Sequence, residues 1–220
     1  MRRLVLACAL ALTVSGCSQE APPASTPGAP SASTSASPSA SATTIPESFP
    51  LADGMAMYDR VDVSPRTIGM RALDFCGRKP LRGLKPADRL AAEASGEESA
   101  STRDLMLFDD ADPPAAVLDD IRAAAAACPA QETGPGSRLL TEVRDSTLGP
   151  DAATVLHTYE QDGAIGIGAE IIDVVRVGRA LLVTSAYAEW DPRTSLDDGI
   201  SEQAEQLETI VAAMSIFADG

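Results

Sequence analysis

The chain has 220 residues and a formal net charge of −15 at pH 7. A surface this acidic repels phosphate backbones, so the composition argues against nucleic acid as a partner. The sequence contains one histidine. Metal sites that need two histidines from one chain are therefore excluded, as are most catalytic relays that depend on histidine.

Residues 1–16 are predicted to be a lipoprotein signal peptide. Arg2 and Arg3 precede an apolar run over 4–14, which is shorter than the ~20 residues that a membrane-spanning helix takes. The run ends in Val14-Ser15-Gly16-Cys17, which resembles a bacterial lipobox. We expect Cys17 to be the lipid-attachment site, so that acyl chains hold the protein at the membrane. The alternatives are an ordinary secreted protein with a chance cysteine and a buried N-terminal helix.

Residues 17–45 are predicted to be a tether that begins at the acylated cysteine. The stretch 21–44 contains only Ala, Pro, Ser, Thr and Gly. No bulky apolar side chain is present to offset the cost of ordering the backbone, and the scattered prolines keep such a chain extended. We interpret it as a passive spacer whose composition also allows O-glycosylation.

Residues 46–220 are predicted to form one α+β domain. Strands are predicted, in chain order, over 88–94, 102–108, 137–143, 154–159, 166–177 and 180–187. One helix is expected from Asp112, as N-cap, to the residue before Pro129, and a second over 198–216. Short turns between consecutive strands favour antiparallel pairing. The expected architecture is a twisted, largely antiparallel sheet with helices packed on one face and one disulfide.

The cysteines allow one disulfide in the mature chain. Cys8 leaves with the signal peptide, and Cys17 is expected to be acylated. Cys76 and Cys128 remain, and an even pair in an oxidising compartment predicts a bond between them. The alternative, a catalytic or metal-binding cysteine, needs an activating base or further ligands.

The domain resembles the extracellular sensor-like domain of mycobacterial serine/threonine kinases of the PknH type, which also occurs in actinobacterial lipoproteins. The resemblance lies in stretches that follow one another in the same order. They are 45–51 (IPESFPL), 103–108 (RDLMLF), the Ala-rich helix that ends in Cys128-Pro129, 174–183 (VVRVGRALLV) and 214–217 (MSIF).

The resemblance implies a mixed α/β domain with a largely antiparallel sheet and a cleft proposed to bind a ligand. Members of this family often carry a second disulfide. Ser215 lies near the position where the closing helix of such domains can carry a cysteine. This chain has no kinase part, so the resemblance does not imply kinase signalling.

Several motifs are compatible with chemistry but favour structural roles. The glycine-rich stretch 163–168 precedes a strand rather than a helix, which indicates hairpin or bulge glycines instead of a phosphate loop. The acidic clusters 109–112 and 197–198 precede predicted helices, where acids complement the helix dipole. His157 lies in a strand pattern and is interpreted as a surface or packing residue. No catalytic set, metal or cofactor is predicted.

Three aromatic residues are weak candidates for a ligand pocket, namely Tyr159, Tyr187 and Trp190. The predicted function is a non-catalytic protein that binds an unknown envelope ligand or protein partner at the outer face of the cytoplasmic membrane. A carboxylate-based cell-wall hydrolase and a structural or chaperone-like envelope accessory protein are the alternatives.

Overall fold

The computed structural model of the chain describes residues 42–218. The predicted signal peptide, the lipid-attachment site Cys17 and the tether up to residue 41 lie outside the described residues. No helix in the described part is long and apolar enough to cross a membrane.

The domain is built on one sheet of eight antiparallel strands. Their order across the sheet is β1-β2-β3-β8-β7-β6-β5-β4. The strands are β1 Arg60–Ser64, β2 Asp88–Ser95, β3 Ala100–Leu107, β4 Ala130–Gly134, β5 Ser137–Asp145, β6 Ala152–Gln161, β7 Ala164–Val177 and β8 Ala180–Ala188. The α+β class and the antiparallel sheet are thus confirmed.

Two α-helices and two 3₁₀ helices accompany the sheet. They are α1 Asp112–Ala127, α2 Leu196–Ala213, and the 3₁₀ helices Gly69–Ala72 and Met214–Phe217. Asp112 is the first residue of α1 rather than its N-cap, because Ala111 takes the cap position and Asp110 accepts the Asp112 N–H at 3.1 Å. Helix α2 begins two residues earlier than predicted and ends in a 3₁₀ turn.

The helices lie on opposite faces of the sheet, and the prediction of helices on one face is wrong in this respect. The central strands have apolar side chains on both faces, so each face needs a cover. Helix α1 packs against alternate residues such as Met106 and Val174, which define the α1 face. Helix α2 and the segment 49–55 pack against the intervening residues, such as Leu105 and Val175, which define the α2 face.

The predicted disulfide between Cys76 and Cys128 is present, with the two Cα atoms 5.8 Å apart. It joins the end of α1 to a tight turn in which Phe75 and Arg78 pair by two backbone hydrogen bonds. Phe75 is buried in the apolar core of the α1 face. The bond therefore fixes the turn against the sheet, beside His157.

Candidate functional site

Helix α1 covers only part of its face, and the uncovered part contains a cavity of about 400 Å³. We name this cavity the His157 cleft. Its floor is formed by side chains of four adjacent strands, namely Thr102 from β3, Ser185 from β8, Glu170 from β7 and His157 from β6. Residues 69–74 form one wall, and Gln131 with Leu139 closes one end.

Three floor residues form a hydrogen-bonded group centred on Glu170. His157 Nδ1 lies 2.8 Å from Glu170 Oε2, and Ser185 Oγ donates to Glu170 Oε1 at 2.5 Å. Burial raises the pKa of the Glu170 carboxyl, but the hydrogen bonds from His157 and Ser185 outweigh this effect and leave the pKa below its ordinary value. Glu170 is therefore a carboxylate at neutral pH.

Because a carboxylate only accepts hydrogen bonds, Glu170 fixes the proton of His157 on Nδ1. The His157 side chain is buried, with 4% of the residue exposed, and its Nε2 atom has no hydrogen-bond partner among the described residues. Phe75 packs edge-on against the imidazole, with ring centroids 5.8 Å apart. Buried polar atoms are nearly always hydrogen-bonded, so an unpaired buried Nε2 is unusual. The cleft leaves room for a ligand group that bonds to it.

The wall of the cleft is held by a buried ion pair beneath it. Arg89 on β2 binds both carboxylate oxygens of Asp104, at 2.7 and 2.8 Å. The same guanidinium donates to the carbonyl oxygens of Pro65, Thr67 and Ile68. One arginine therefore fixes the loop that leads into the 3₁₀ helix.

Gly69 begins this 3₁₀ helix at a position that only glycine fits. Its φ is +59°, and a Cβ atom there would lie 2.5 Å from the Arg89 guanidinium and 2.6 Å from the Asp104 carboxylate. Its N–H donates to Glu93 Oε1 at 2.9 Å. The start of the wall thus lies directly on the ion pair.

The structure brings Tyr159 and Tyr187 together beside Glu170, outside the residues that line the His157 cleft. Their rings pack edge to face with centroids 6.2 Å apart, and they are 39% and 36% exposed. Burial, the nearby Glu170 carboxylate and Tyr187 raise the pKa of Tyr159 to about 12, so this phenol stays protonated. Gly168 makes room for the pair, since a Cβ atom there would lie 2.9 Å from the Tyr187 hydroxyl.

Trp190 does not join the two tyrosines. It packs on the α2 face with Leu196 and Ile200, and its indole lies against Gly199 of α2. A Cβ atom at Gly199 would lie 2.6 Å from the indole nitrogen. The structure therefore gives Trp190 a packing role between β8 and α2.

The remaining sequence motifs have structural roles in the fold. The glycine-rich stretch forms the β6–β7 turn and a bulge in β7, where the register shifts after Thr158. Asp197 lies in the first turn of α2 and binds Arg144 of β5 at 2.8 Å. No group of three His, Cys, Asp or Glu side chains that could hold a metal ion occurs within residues 42–218.

Sequence reasoning missed Glu170 and Ser185, and it gave His157 only a passive role. All three lie in strands whose other residues are mostly apolar. A charged or hydroxyl side chain inside such a strand is the signal that indicates a buried polar group. The signal does not tell which of these groups meet, because that depends on the register of the β6–β7 and β7–β8 pairs, which includes a bulge.

No protein-family model matches this sequence, and no curated protein matches it. Among solved structures, the similar chains include an extracellular domain of the class that the sequence resembles. It is the extracellular domain of PknH from Mycobacterium tuberculosis, at 17% identity and a TM-score of 0.46, over 70% of this chain and 79% of that one.

Two further structures are similar at lower values. A putative uncharacterized protein from Mycobacterium smegmatis has 14% identity and a TM-score of 0.38, over 71% of this chain and 88% of that one. The Ran-binding protein Mog1p from Saccharomyces cerevisiae has 12% identity and a TM-score of 0.31, over 62% and 86%.

Proposed function

We propose that this chain is a lipid-anchored binding protein of the cell envelope, and that its domain takes a ligand in the His157 cleft. The lipobox-like sequence at Cys17 and the apolar run before it support attachment at the outer face of the cytoplasmic membrane. The 17–45 tether gives the domain reach from that surface. The membrane is then one partner, through the acyl chains, and an envelope ligand is the other.

One observation supports the proposed binding site most directly. The imidazole of His157 lines a cavity of about 400 Å³, is oriented by a carboxylate, and has a buried Nε2 atom without a partner. A bound group that pairs with Nε2 recovers the cost of leaving that atom unsatisfied, about 1–3 kcal/mol. Pockets of this kind, with a few convergent polar groups, are the usual form of a small-ligand site.

The geometry favours binding over catalysis. Ser185 gives its proton to Glu170 and not to His157, so the imidazole does not activate this hydroxyl as a nucleophile. The two carboxylates of the cleft are both engaged, Glu170 by His157 and Asp74 by Lys79 at 3.3 Å. A carboxylate hydrolase needs one acid and one base that are free to exchange protons with substrate and water.

Because His157 is the only histidine, its imidazole signals in an NMR spectrum report on the cleft alone. We expect a buffer-matched hydrolysate of the producing cell's envelope to shift these signals in the purified domain. Ala72 is exposed and lines the cleft, so Ala72→Trp fills the cavity without disturbing the core. This variant should lose the shift.

Ala123→Trp is the matched control, because Ala123 is an exposed residue of α1 away from the cleft lining. It should respond as the wild type does. An unchanged His157 signal in the wild type, or an equal shift in Ala72→Trp, would refute the site. Turnover of peptidoglycan fragments that Glu170→Gln abolishes would instead establish the hydrolase.

A further inference from the structure

We propose that the His157 cleft is one end of a groove across the sheet, and that this groove binds an uncharged, polyhydroxylated chain, that is, a glycan strand. This inference rests on the proposed binding function and names its ligand class. It is supported by the strand register, a second cavity, the internal partners of the acidic side chains and the exposed tyrosines.

The register places a row of polar side chains across four strands on the α1 face. Asp62 of β1 is paired with Glu93 of β2, Glu93 with Thr102 of β3, and Thr102 with Ser185 of β8. Directly paired residues point to the same face of a sheet. The row therefore runs without interruption from the edge strand β1 into the floor of the cleft.

A second cavity lies over the outer part of this row. It has a volume of about 360 Å³, and its lining includes Arg60, Asp62, Glu93, Ser95 and Thr102. Thr102 also lines the His157 cleft, so the two cavities adjoin at β3. From β1 to β6 the sheet spans five strand spacings, which is roughly 24 Å. Such a groove has the length for a chain of several units rather than for one small molecule.

Several acidic groups of the groove already have partners within the protein. Glu170 accepts hydrogen bonds from His157 and Ser185, and Asp74 is ion-paired with Lys79. Glu93 accepts the Gly69 N–H. Arg60 lines the same cavity as Asp62. With a net charge of −15, the chain also disfavours polyanions. An uncharged ligand fits these conditions.

The groups that remain available suit sugars. The Thr102 hydroxyl can donate and accept, Ser185 Oγ can still accept, and the Gln131 amide nitrogen can donate, since Gln131 Oε1 accepts the Cys76 N–H. Beside Glu170, the half-exposed rings of Tyr159 and Tyr187 offer surface against which the C–H face of a pyranose ring can pack. Polar groups in the cleft, with aromatic rings next to it, are thus matched to a polyhydroxylated chain.

The test uses disaccharides and hexasaccharides of neutral series (gluco-, manno- and chito-oligosaccharides), with the His157 NMR signals and calorimetry as readouts. For one series, we expect the hexasaccharide to bind tighter than the disaccharide by about tenfold or more, because it also fills the outer cavity. Ser95 is exposed and lines only that outer cavity. Ser95→Trp should remove this length advantage and leave disaccharide binding unchanged.

Ala72→Trp should abolish binding of both lengths, and Ala123→Trp should change neither. Equal affinities for the two lengths would overturn the extended groove. An affinity for the hexasaccharide that Ser95→Trp leaves unchanged would overturn it as well. If all saccharides fail while the envelope hydrolysate still shifts His157, the glycan inference is wrong and the binding function stands. If the hydrolysate fails as well, both are wrong. If hexalysine binds and none of the saccharides does, the inference of an uncharged ligand is wrong.

Discussion

Asp173 has a carboxyl group that is buried on the α2 face, and its hydrogen bonding does not fully offset the cost of that burial. It is 2% exposed, and its Oδ1 accepts a hydrogen bond from Thr154 Oγ1 at 2.6 Å, whereas Oδ2 has no partner among the described residues. Burial raises the pKa of Asp173 to about 6, and the Thr154 hydrogen bond only partly opposes this. The folded state therefore holds the proton of Asp173 more tightly than the unfolded chain does.

This pKa predicts a pH dependence of stability. Well below pH 4, Asp173 is protonated in both the folded and the unfolded state. Its contribution to stability is lost as the pH rises from about 4, where the unfolded chain ionises, to about 6, where the folded state does, and is constant above that. The unfolding free energy of Asp173→Asn, relative to wild type, should therefore rise by on the order of 2 kcal/mol between pH 4 and pH 7. Urea unfolding at a series of pH values measures this difference.

Asp119→Asn provides the control for Asp173→Asn, because Asp119 lies on the exposed side of α1 with 80% of its side chain accessible. Its stability relative to wild type should stay nearly constant over the same range. A flat difference for Asp173→Asn as well would mean that Asp173 is solvated and has an ordinary pKa.

At the scale of elements, the wall of the cleft depends on one ion pair. Arg89 and Asp104 lie on neighbouring strands, and Arg89, held by the Asp104 carboxylate, donates to three carbonyl oxygens of the loop before the 3₁₀ helix. The loop has few apolar contacts of its own, since Pro65, Arg66 and Ile68 are exposed. Its position therefore depends on hydrogen bonds from beneath.

Arg89→Met is expected to destabilise the domain by roughly 3–5 kcal/mol, because it leaves the Asp104 carboxylate buried without a partner. The double variant Arg89→Met/Asp104→Leu should recover much of this loss, since no buried charge remains. The Gly69 N–H donates to Glu93 in the wild type. Its hydrogen exchange should be faster in both variants, because without Arg89 the loop that positions Gly69 is no longer held. Slow exchange at Gly69 in the double variant would show that the loop holds without the arginine.

The sequence predicts elements well where an apolar pattern is strong. The hairpins β2–β3 and β7–β8 and helix α1 follow from runs of apolar residues next to short turns or proline. Strands β1 (RVDVS) and β4 (AQETG) are absent from the predictions because they are short, polar edge strands. Their pairing comes from the neighbouring strand and not from their own pattern.

At the scale of the molecule, the site could not be assembled from sequence. Glu170 meets His157 across the β6–β7 hairpin and Ser185 across the β7–β8 hairpin, and the register of each hairpin decides which polar side chains lie together. Thr102 joins the floor because β3 pairs with β8, which brings together residues about eighty positions apart that local patterns do not connect. Tyr159 and Tyr187 meet because β6, β7 and β8 follow one another as hairpins, and neither residue lines the His157 cleft.

The proposed anchor makes a prediction for the whole protein. Wild type should fractionate with membranes, and mass spectrometry should find an acylated Cys17 at its N-terminus. Cys17→Ser should remain in the soluble fraction, because the acidic protein has no attraction to anionic headgroups that could replace the acyl chains. Cys8→Ser is the matched control and should fractionate as wild type does. If the unacylated variant Cys17→Ser stayed in the membrane fraction, the proposed lipid anchor would be wrong.

The chain enters the domain at Ala42, whose N–H donates to Ile216 O at 3.3 Å and whose carbonyl oxygen accepts from Arg179. Arg179 occupies the β7–β8 turn, whereas Ser185 lies five residues beyond the start of β8, roughly 17 Å along the strand. Ala42 does not line the His157 cleft, so a ligand held there leaves the entry point of the chain uncovered. Under the proposed anchoring, binding of an envelope polymer and attachment to the membrane would then use different ends of β8.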